Sequence, residues 1–232
     1  MTEIITQQIQ KTPLQSGIYI FKNKKGEFLY IGKAGNLKNR LRQYLNKKTY
    51  SPFMEHLLNE AERIETKTTN SEIEALILES KLIKEKQPKF NIMLRDGKQY
   101  FYVVFTHSTS SGQAEEFPKI FLTHQPFDSL RSLRASPKSD FIGPFTDGTA
   151  LKTTLRLLRR IFPYCTCKQA HHNFCLNYHI GKCLGYCCLK NLNPTIKKEL
   201  SAIYPKNIKA IKNILTGKRE SLIKNLEKEM KE

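Results

Sequence analysis

The sequence predicts an α+β fold, and three observations carry that prediction. Two short β-prone runs, Ile18 to Phe21 and Phe28 to Ile31, flank the turn Lys22-Asn23-Lys24-Lys25-Gly26, which is the pattern of a β-hairpin. Helical periodicity then takes over, most clearly from Ser71 to Glu85. Further strand-like runs follow at Tyr100 to Phe105 and Lys119 to Leu122 before helical spacing returns. With 232 residues, the chain is long enough to bury a core in one large domain or two ordinary ones.

Each element has a local reason. In the hairpin, Gly32 is expected to end the second strand. Asn36 is placed to cap a helix to Tyr44, with Leu37, Leu41 and Tyr44 on one face and Lys33, Arg40 and Arg42 close to the hairpin. Phe53 to Ile64 is a second amphipathic helix carrying Leu57, Leu58 and Ala61, and Ile64 to Thr69 a short strand. Ser71, with Glu74 three residues on, caps the next helix, whose apolar face is Ile73, Leu76, Ile77 and Leu82 and which Pro88 stops. The polar stretch "THSTSSGQAEE" at 106–116 is a loop between two strands expected to pair as a hairpin on the first module. Thr153 to Ile161 is helical, and 194–231 forms two Lys-rich helices parted by Thr216-Gly217.

Thirty-nine Lys and Arg against 21 Asp and Glu give a formal charge of +18. A compact fold so charged repels itself unless an anionic partner offsets it, and nucleic acid is the first candidate. No apolar run approaches the roughly 20 residues that span a bilayer, and no secretory leader pattern opens the chain, so a soluble chain with no membrane partner, in the reducing cytoplasm, is expected. There, six cysteines crowded between 165 and 188 point to metal and not to disulfides.

Gly17-Ile18-Tyr19 and Tyr30-Ile31-Gly32 repeat one composition in reverse order across the hairpin. Two phenols near Lys33 and Arg40 suit a phosphodiester, whose hydrolysis needs a group to handle a proton and cations to offset transition-state charge. The plainer reading makes both tyrosines half-buried strand residues. Glu79, in "ALILESKLI", sits at the rim of an apolar face, where an unpaired carboxylate is costly to desolvate and a metal would remove the cost. The alternative is a surface Glu paired with Lys81 or Lys84.

In this order and at these spacings, Gly17-Ile18-Tyr19, Tyr30-Ile31-Gly32, Lys33, Arg40, Tyr44, Glu79 and Asn91 resemble the GIY-YIG nuclease domain. More narrowly, "EALILESKLIKEKQPKFNIMLRDGKQY" and "FIGPF" at 141–145 are similar to segments of the UvrC family of bacterial excinucleases. The resemblance implies a GIY-YIG domain with a small central three-stranded antiparallel sheet flanked by helices, cutting DNA with one divalent ion, Mg²⁺ or Mn²⁺. Glu79 would hold the metal and Arg40 the scissile phosphate. Tyr30, assisted by Lys33, or else Tyr19, would activate or orient the attacking water; Tyr44 would touch the phosphate or a water of the metal, and Asn91 would organise the site.

In "CTCKQAHHNFCLNYHIGKCLGYCC", Cys165, Cys167, Cys175, Cys183, Cys187 and Cys188 are interspersed with His171, His172 and His179. Clustered thiolates suit zinc or an iron–sulfur cluster, and free buried thiols are the plain alternative. "FCLNYHIGKCLGYC" resembles the cysteine region of the UvrC family. That resemblance implies a 4Fe–4S cluster on Cys167, Cys175, Cys183 and Cys187, with Zn²⁺ as alternative and Cys165 a possible replacement for Cys167.

The organisation expected is a nuclease domain at 13–98, a hairpin-and-helix connection at 99–163, a cysteine-rich β/α segment at 164–190 and a Lys-rich helical tail at 191–232. The resemblance covers the front portion of a UvrC, so a fragment or a short homologue of Cho type is expected. It implies incision 3′ to a lesion in damaged double-stranded DNA, with UvrB or a UvrA–UvrB-loaded complex as partner. A catalytically silent DNA-binding or assembly module of the same fold is the rival reading.

Overall fold

The structure is a computed structural model and describes residues 3–46, 50–96, 100–106, 118–124, 139–167, 172–185, 187–188 and 193–218, without the side chains of 93–96, 194 and 197. The expected loop at 106–116 lies outside them apart from Thr106, as do His171 and the helix expected beyond Lys218. Two compact units result, Met1–Tyr100 with Gly143–Ala150, and Phe101–Ile142 with Leu151–Glu232.

The first unit is built on an antiparallel sheet of order β2-β1-β3, formed by β1 (Gly17–Lys22), β2 (Phe28–Ala34) and β3 (Arg63–Thr68). Gly32 does not end β2. The strand runs on because Lys33 and Ala34 pair with Ile18 and Gly17 across the sheet. Asn36 caps α2 (Leu37–Arg42) by accepting from the Asn39 N–H at 2.9 Å, and a 3₁₀ turn, Gln43–Leu45, carries the chain past Tyr44. Ser51 and Pro52 start α3 (Pro52–Glu60), which stops short of the expected Ile64. The Glu62 N–H is drawn to the Lys22 carbonyl at 2.9 Å, so the chain joins β1 before the apolar pattern has run out.

Ser71 caps α4 (Glu72–Lys86), accepting from the Glu74 N–H, and a left-handed Gln87 ends it before Pro88. Its buried face is Ala75, Leu76, Glu79, Ser80 and Ile83, rotated from the expected one: Ile73, Ile77 and Leu82 are only half-buried. α5 (Lys89–Asp96) follows. A helix not expected from the sequence, α1 (Glu3–Gln10), buries Ile5 and Ile9 completely in the same core as Phe21, Leu37, Leu41, Leu57 and Phe90.

In the second sheet the order is β5-β4-β6, from β4 (Phe101–Phe105), β5 (Ile120–Thr123) and β6 (Asp140–Phe145). The β4–β5 hairpin is the expected one, and it belongs to the second unit. α6 (Gly148–Ile161) begins before the expected Thr153, then come α7 (Leu176–His179) and α8 (Pro194–Leu215), which closes on Gly217 at φ +76°. Val103, Val104, Leu151, Tyr204 and Ile211 are fully buried residues of this unit.

Candidate active site and cysteine centre

Sheet register places the two tyrosines on one face. Tyr19 pairs with Gly32 and Phe21 with Tyr30, so Tyr19 and Tyr30 are diagonal neighbours with ring centroids 6.1 Å apart. The Tyr19 ring lies over residue 32: a Cβ there would sit 2.5 Å from the phenol. Gly17 is equally constrained, since a Cβ would meet the Lys67 carbonyl at 2.2 Å. The two outer glycines thus let β3 close on one side and the phenol lie flat on the other.

From α2, Arg40 donates through Nε to the Tyr19 hydroxyl at 3.3 Å, and the Tyr19 and Tyr44 hydroxyls are 3.1 Å apart. Burial, and then Tyr19, push the Tyr44 phenol up. The Tyr30 phenol is raised well above its usual value by burial first, then by Tyr19, Tyr44 and Glu79. The Tyr19 oxygen beside Arg40 pushes that guanidinium up, fixing its charge. A cavity of about 510 Å³ opens beside this group, lined by Tyr30, Arg40, Tyr44, Ser51 and Phe53 among others. Arg42 is exposed on the last turn of α2.

Glu79 is 2% exposed. One carboxylate oxygen accepts the Lys33 backbone N–H at 3.0 Å and the other the Thr146 hydroxyl at 2.8 Å. Burial nevertheless raises its pKa to about 7, against the lowering effect of Thr146 and Lys33. The expected surface pairing with Lys81 or Lys84 is not what holds it: Lys81 instead approaches Glu85 at 4.0 Å.

Asn91 works through the backbone. It accepts from the Ile31 N–H at 2.8 Å and donates to the Ile31 carbonyl at 3.0 Å, acting as a substitute neighbour for the outer edge of β2. Asn91→Ala would leave both buried groups unpaired. It is expected to destabilise the protein by about 2–4 kcal/mol, read as a lower urea midpoint with an unchanged m-value.

Thr146 and Asp147, which sequence reasoning missed, complete the group. Lys33 Nζ donates to Asp147 at 2.8 Å while the other Asp147 oxygen accepts the Ala150 N–H at 2.9 Å, capping α6. Burial opposes its charge, but the hydrogen bonds from Lys33 and Ala150 hold its carboxyl below the usual range. "TDG" before an amphipathic run was a legible helix cap. Nothing local ties it to a lysine 114 residues away.

In the second unit, the sulfurs of Cys165, Cys183 and Cys187 lie within 4.8 Å of one another, as do those of Cys167, Cys175 and Cys187. Cys187 belongs to both sets. Hydrogen bonding from Cys165 is the largest cause of a Cys183 thiol lowered to about 5; burial opposes it and the Gly185 N–H helps. Cys188 donates to the Asn173 carbonyl at 2.9 Å and lies 3.7 Å from Cys187. Five thiols converging in this way form a soft donor set suited to zinc or to an iron–sulfur cluster.

Comparison with known proteins finds relatives along most of the chain. Residues 15–92 match the UvrC-like GIY-YIG domain, and residues 111–203 the middle domain of the UvrC/Cho excinucleases. The UvrABC system protein C of Desulforudis audaxviator is 36% identical over 97% of this chain and 33% of its own length. That of Clostridium perfringens is 38% identical over 96% of this chain and 34% of its own. This chain therefore spans about a third of the length of the curated relatives it matches. The magnesium-bound N-terminal endonuclease domain of UvrC from Thermotoga maritima is 46% identical, covering 39% of this chain and 99% of that one, with a TM-score of 0.37. With a GIY-YIG domain and a UvrC middle domain in succession, and relatives of one kind along nearly its whole length, this chain belongs to the UvrC family.

Proposed function

We propose that the chain is a divalent-metal-dependent DNA endonuclease of nucleotide excision repair, making the incision 3′ to a lesion in damaged double-stranded DNA on a complex loaded by UvrB or UvrA–UvrB. The observation that carries the reading is Glu79, a buried carboxylate raised to about 7, beside a cluster of phenols and basic groups. A divalent cation reconciles its charge with its burial. Mg²⁺ or Mn²⁺ held there would supply Lewis-acid stabilisation of the phosphoryl oxygens.

The chain's own residues do the rest. Arg40, its charge secured by Tyr19, binds a phosphate oxygen and offsets charge developing in the transition state. Tyr19 is already engaged by Arg40 and Tyr44, so it positions the arginine, and Tyr30 is the phenol assigned to orienting the attacking water. Water forms the new P–O bond and releases a proton to solvent, the P–O3′ bond breaks, and the departing oxygen takes a proton from solvent. Lys33 supplies positive charge next to this step, and Asp147 fixes its ammonium. Asn91 organises the site by pairing with the outer edge of β2 at Ile31.

For the second unit we propose a 4Fe–4S cluster on Cys167 or Cys165 with Cys175, Cys183 and Cys187, zinc being the alternative. Its role is to fold the segment around it, because the cut is hydrolytic and needs no electron.

The test is nicking of an end-labelled, lesion-bearing duplex in Mg²⁺ or Mn²⁺, with and without UvrA–UvrB. A nick on the 3′ side supports the reading. Wild-type protein that binds the loaded complex and never nicks favours the silent module. In the same assay Asp147→Asn, which keeps an oxygen for the Ala150 N–H but loses the charge pairing with Lys33, is expected to cut about tenfold more slowly, with little loss of stability. An unchanged rate would remove Asp147 from the site.

A further inference from the structure

A second cavity lies in the second unit, about 330 Å³ in volume, with no cysteine among the described residues of its lining although Tyr164 and Lys182 adjoin Cys165 and Cys183 in the chain, and that lining is cationic. Lys152, Arg156 and Arg159 follow one another at i, i+4 and i+7 on α6, and so share a face of that helix. Lys182 adds a fourth cation, and no carboxylate lines the cavity among the described residues. α6 itself contains no acid.

Arg159 is built in. Its Nε donates to the carbonyls of Tyr164 at 3.1 Å and Lys182 at 2.9 Å, and its guanidinium stands 5.2 Å over the Tyr164 ring. Its Nη2 is buried with no hydrogen-bond partner among the described residues. A buried cationic donor without an acceptor is costly, and a phosphate in this groove would lower that cost through its field, without touching the buried nitrogen. Phe121, on β5, lines the same groove and is 38% exposed. Cations that follow a backbone beside an exposed aromatic ring form the recognition pattern for single-stranded nucleic acid.

We propose that this groove binds a single strand of nucleic acid, with backbone phosphates on Lys152, Arg156, Arg159 and Lys182 and a base stacked on Phe121. The proposal rests on the reading of the chain as a nuclease acting on DNA, and deepens it by adding a contact in the other unit. Its test does not depend on cutting.

The full chain carrying Glu79→Gln is titrated with a labelled oligothymidylate of about 15 nucleotides across a range of KCl. Lys152→Gln/Arg156→Gln/Lys182→Gln is expected to weaken binding about a hundredfold at 0.1 M salt and to lower the slope of log K against log salt by about 2. Arg159 is left in place because it holds two carbonyls. Lys198→Gln/Lys206→Gln/Lys209→Gln removes the same charge from exposed positions of α8 and is expected to do much less. Phe121→Ala should cost about tenfold in affinity with the slope unchanged.

Equal losses from the two triple variants would overturn the proposal, leaving only diffuse charge. So would a Phe121→Ala protein that binds as well as its parent. Adenosine triphosphate serves as the free-nucleotide arm: if it binds and is lost in the groove variant while oligonucleotide binding is not, the groove takes nucleotides and the proposal fails.

Discussion

Glu79→Gln is expected to cut at least about a thousandfold more slowly than the wild type, the scale set by losing a metal and its transition-state charge stabilisation, while binding DNA almost as well. Affinity comes mostly from the basic surface, which the substitution leaves intact. The same substitution is expected to stabilise the metal-free protein above neutral pH. The folded-state pKa of Glu79 is raised to about 7 from 4.5. The stability associated with its protonated form is therefore fully present below about 4.5 and is lost as pH rises through about 7. A shift of this size corresponds to about 3 kcal/mol. Wild-type protein in chelator should thus unfold at lower urea at pH 8 than at pH 5, relative to Glu79→Gln, and Mg²⁺ should restore the wild type alone. Parallel pH profiles for the two proteins would mean that Glu79 is not the strained group, and normal cutting by the variant would end the metal assignment.

The second large effect is expected at Cys187. It is the one cysteine common to both groups of convergent sulfurs, so Cys187→Ser should reduce bound metal more than Cys188→Ser, whose parent thiol is engaged by the Asn173 carbonyl. Where thiolates hold a metal, binding free energy is folding free energy. A loss of about 5 kcal/mol or more would lower Tm by upwards of about 10 °C for a chain of this size. Metal analysis beside calorimetry decides the matter: iron with broad absorbance near 400 nm marks the cluster, zinc alone marks the alternative. Full metal content with unchanged Tm in Cys187→Ser would remove both.

Much of the first unit could be read from local chemistry. Asn36 and Ser71 are caps because their side chains meet the amides three residues on, and such signals lie within a few residues of one another. Boundaries failed where tertiary pairing overruled the local pattern, as when β1 took up Glu62 and ended α3 early. The α4 face was misplaced for a related reason: the sequence put Glu79 only at the rim of the apolar face and left out Ser80, yet both are buried. α1 offered only two core positions, Ile5 and Ile9, in a polar stretch. At 146–147 only the helix cap was legible, because the pairing of these residues with Glu79 and Lys33 joins positions far apart in the chain. Resemblance supplied the order of the site residues, but it took the structure to separate those that meet at the phenols from Asn91, which serves the strand.

The flat seat that Gly32 gives the Tyr19 ring has a consequence for how the site tolerates change. A methyl group at 32 would displace the Tyr19 ring, and with it the hydroxyl that Arg40 and Tyr44 share. Socket and plug are bound in one direction: while the ring stands at 19, there is no room for a side chain at 32. The mirrored spelling of the hairpin is thus the written form of a steric fit, and a mutation at its smallest residue would pass, in any functional screen, for a mutation of its phenol.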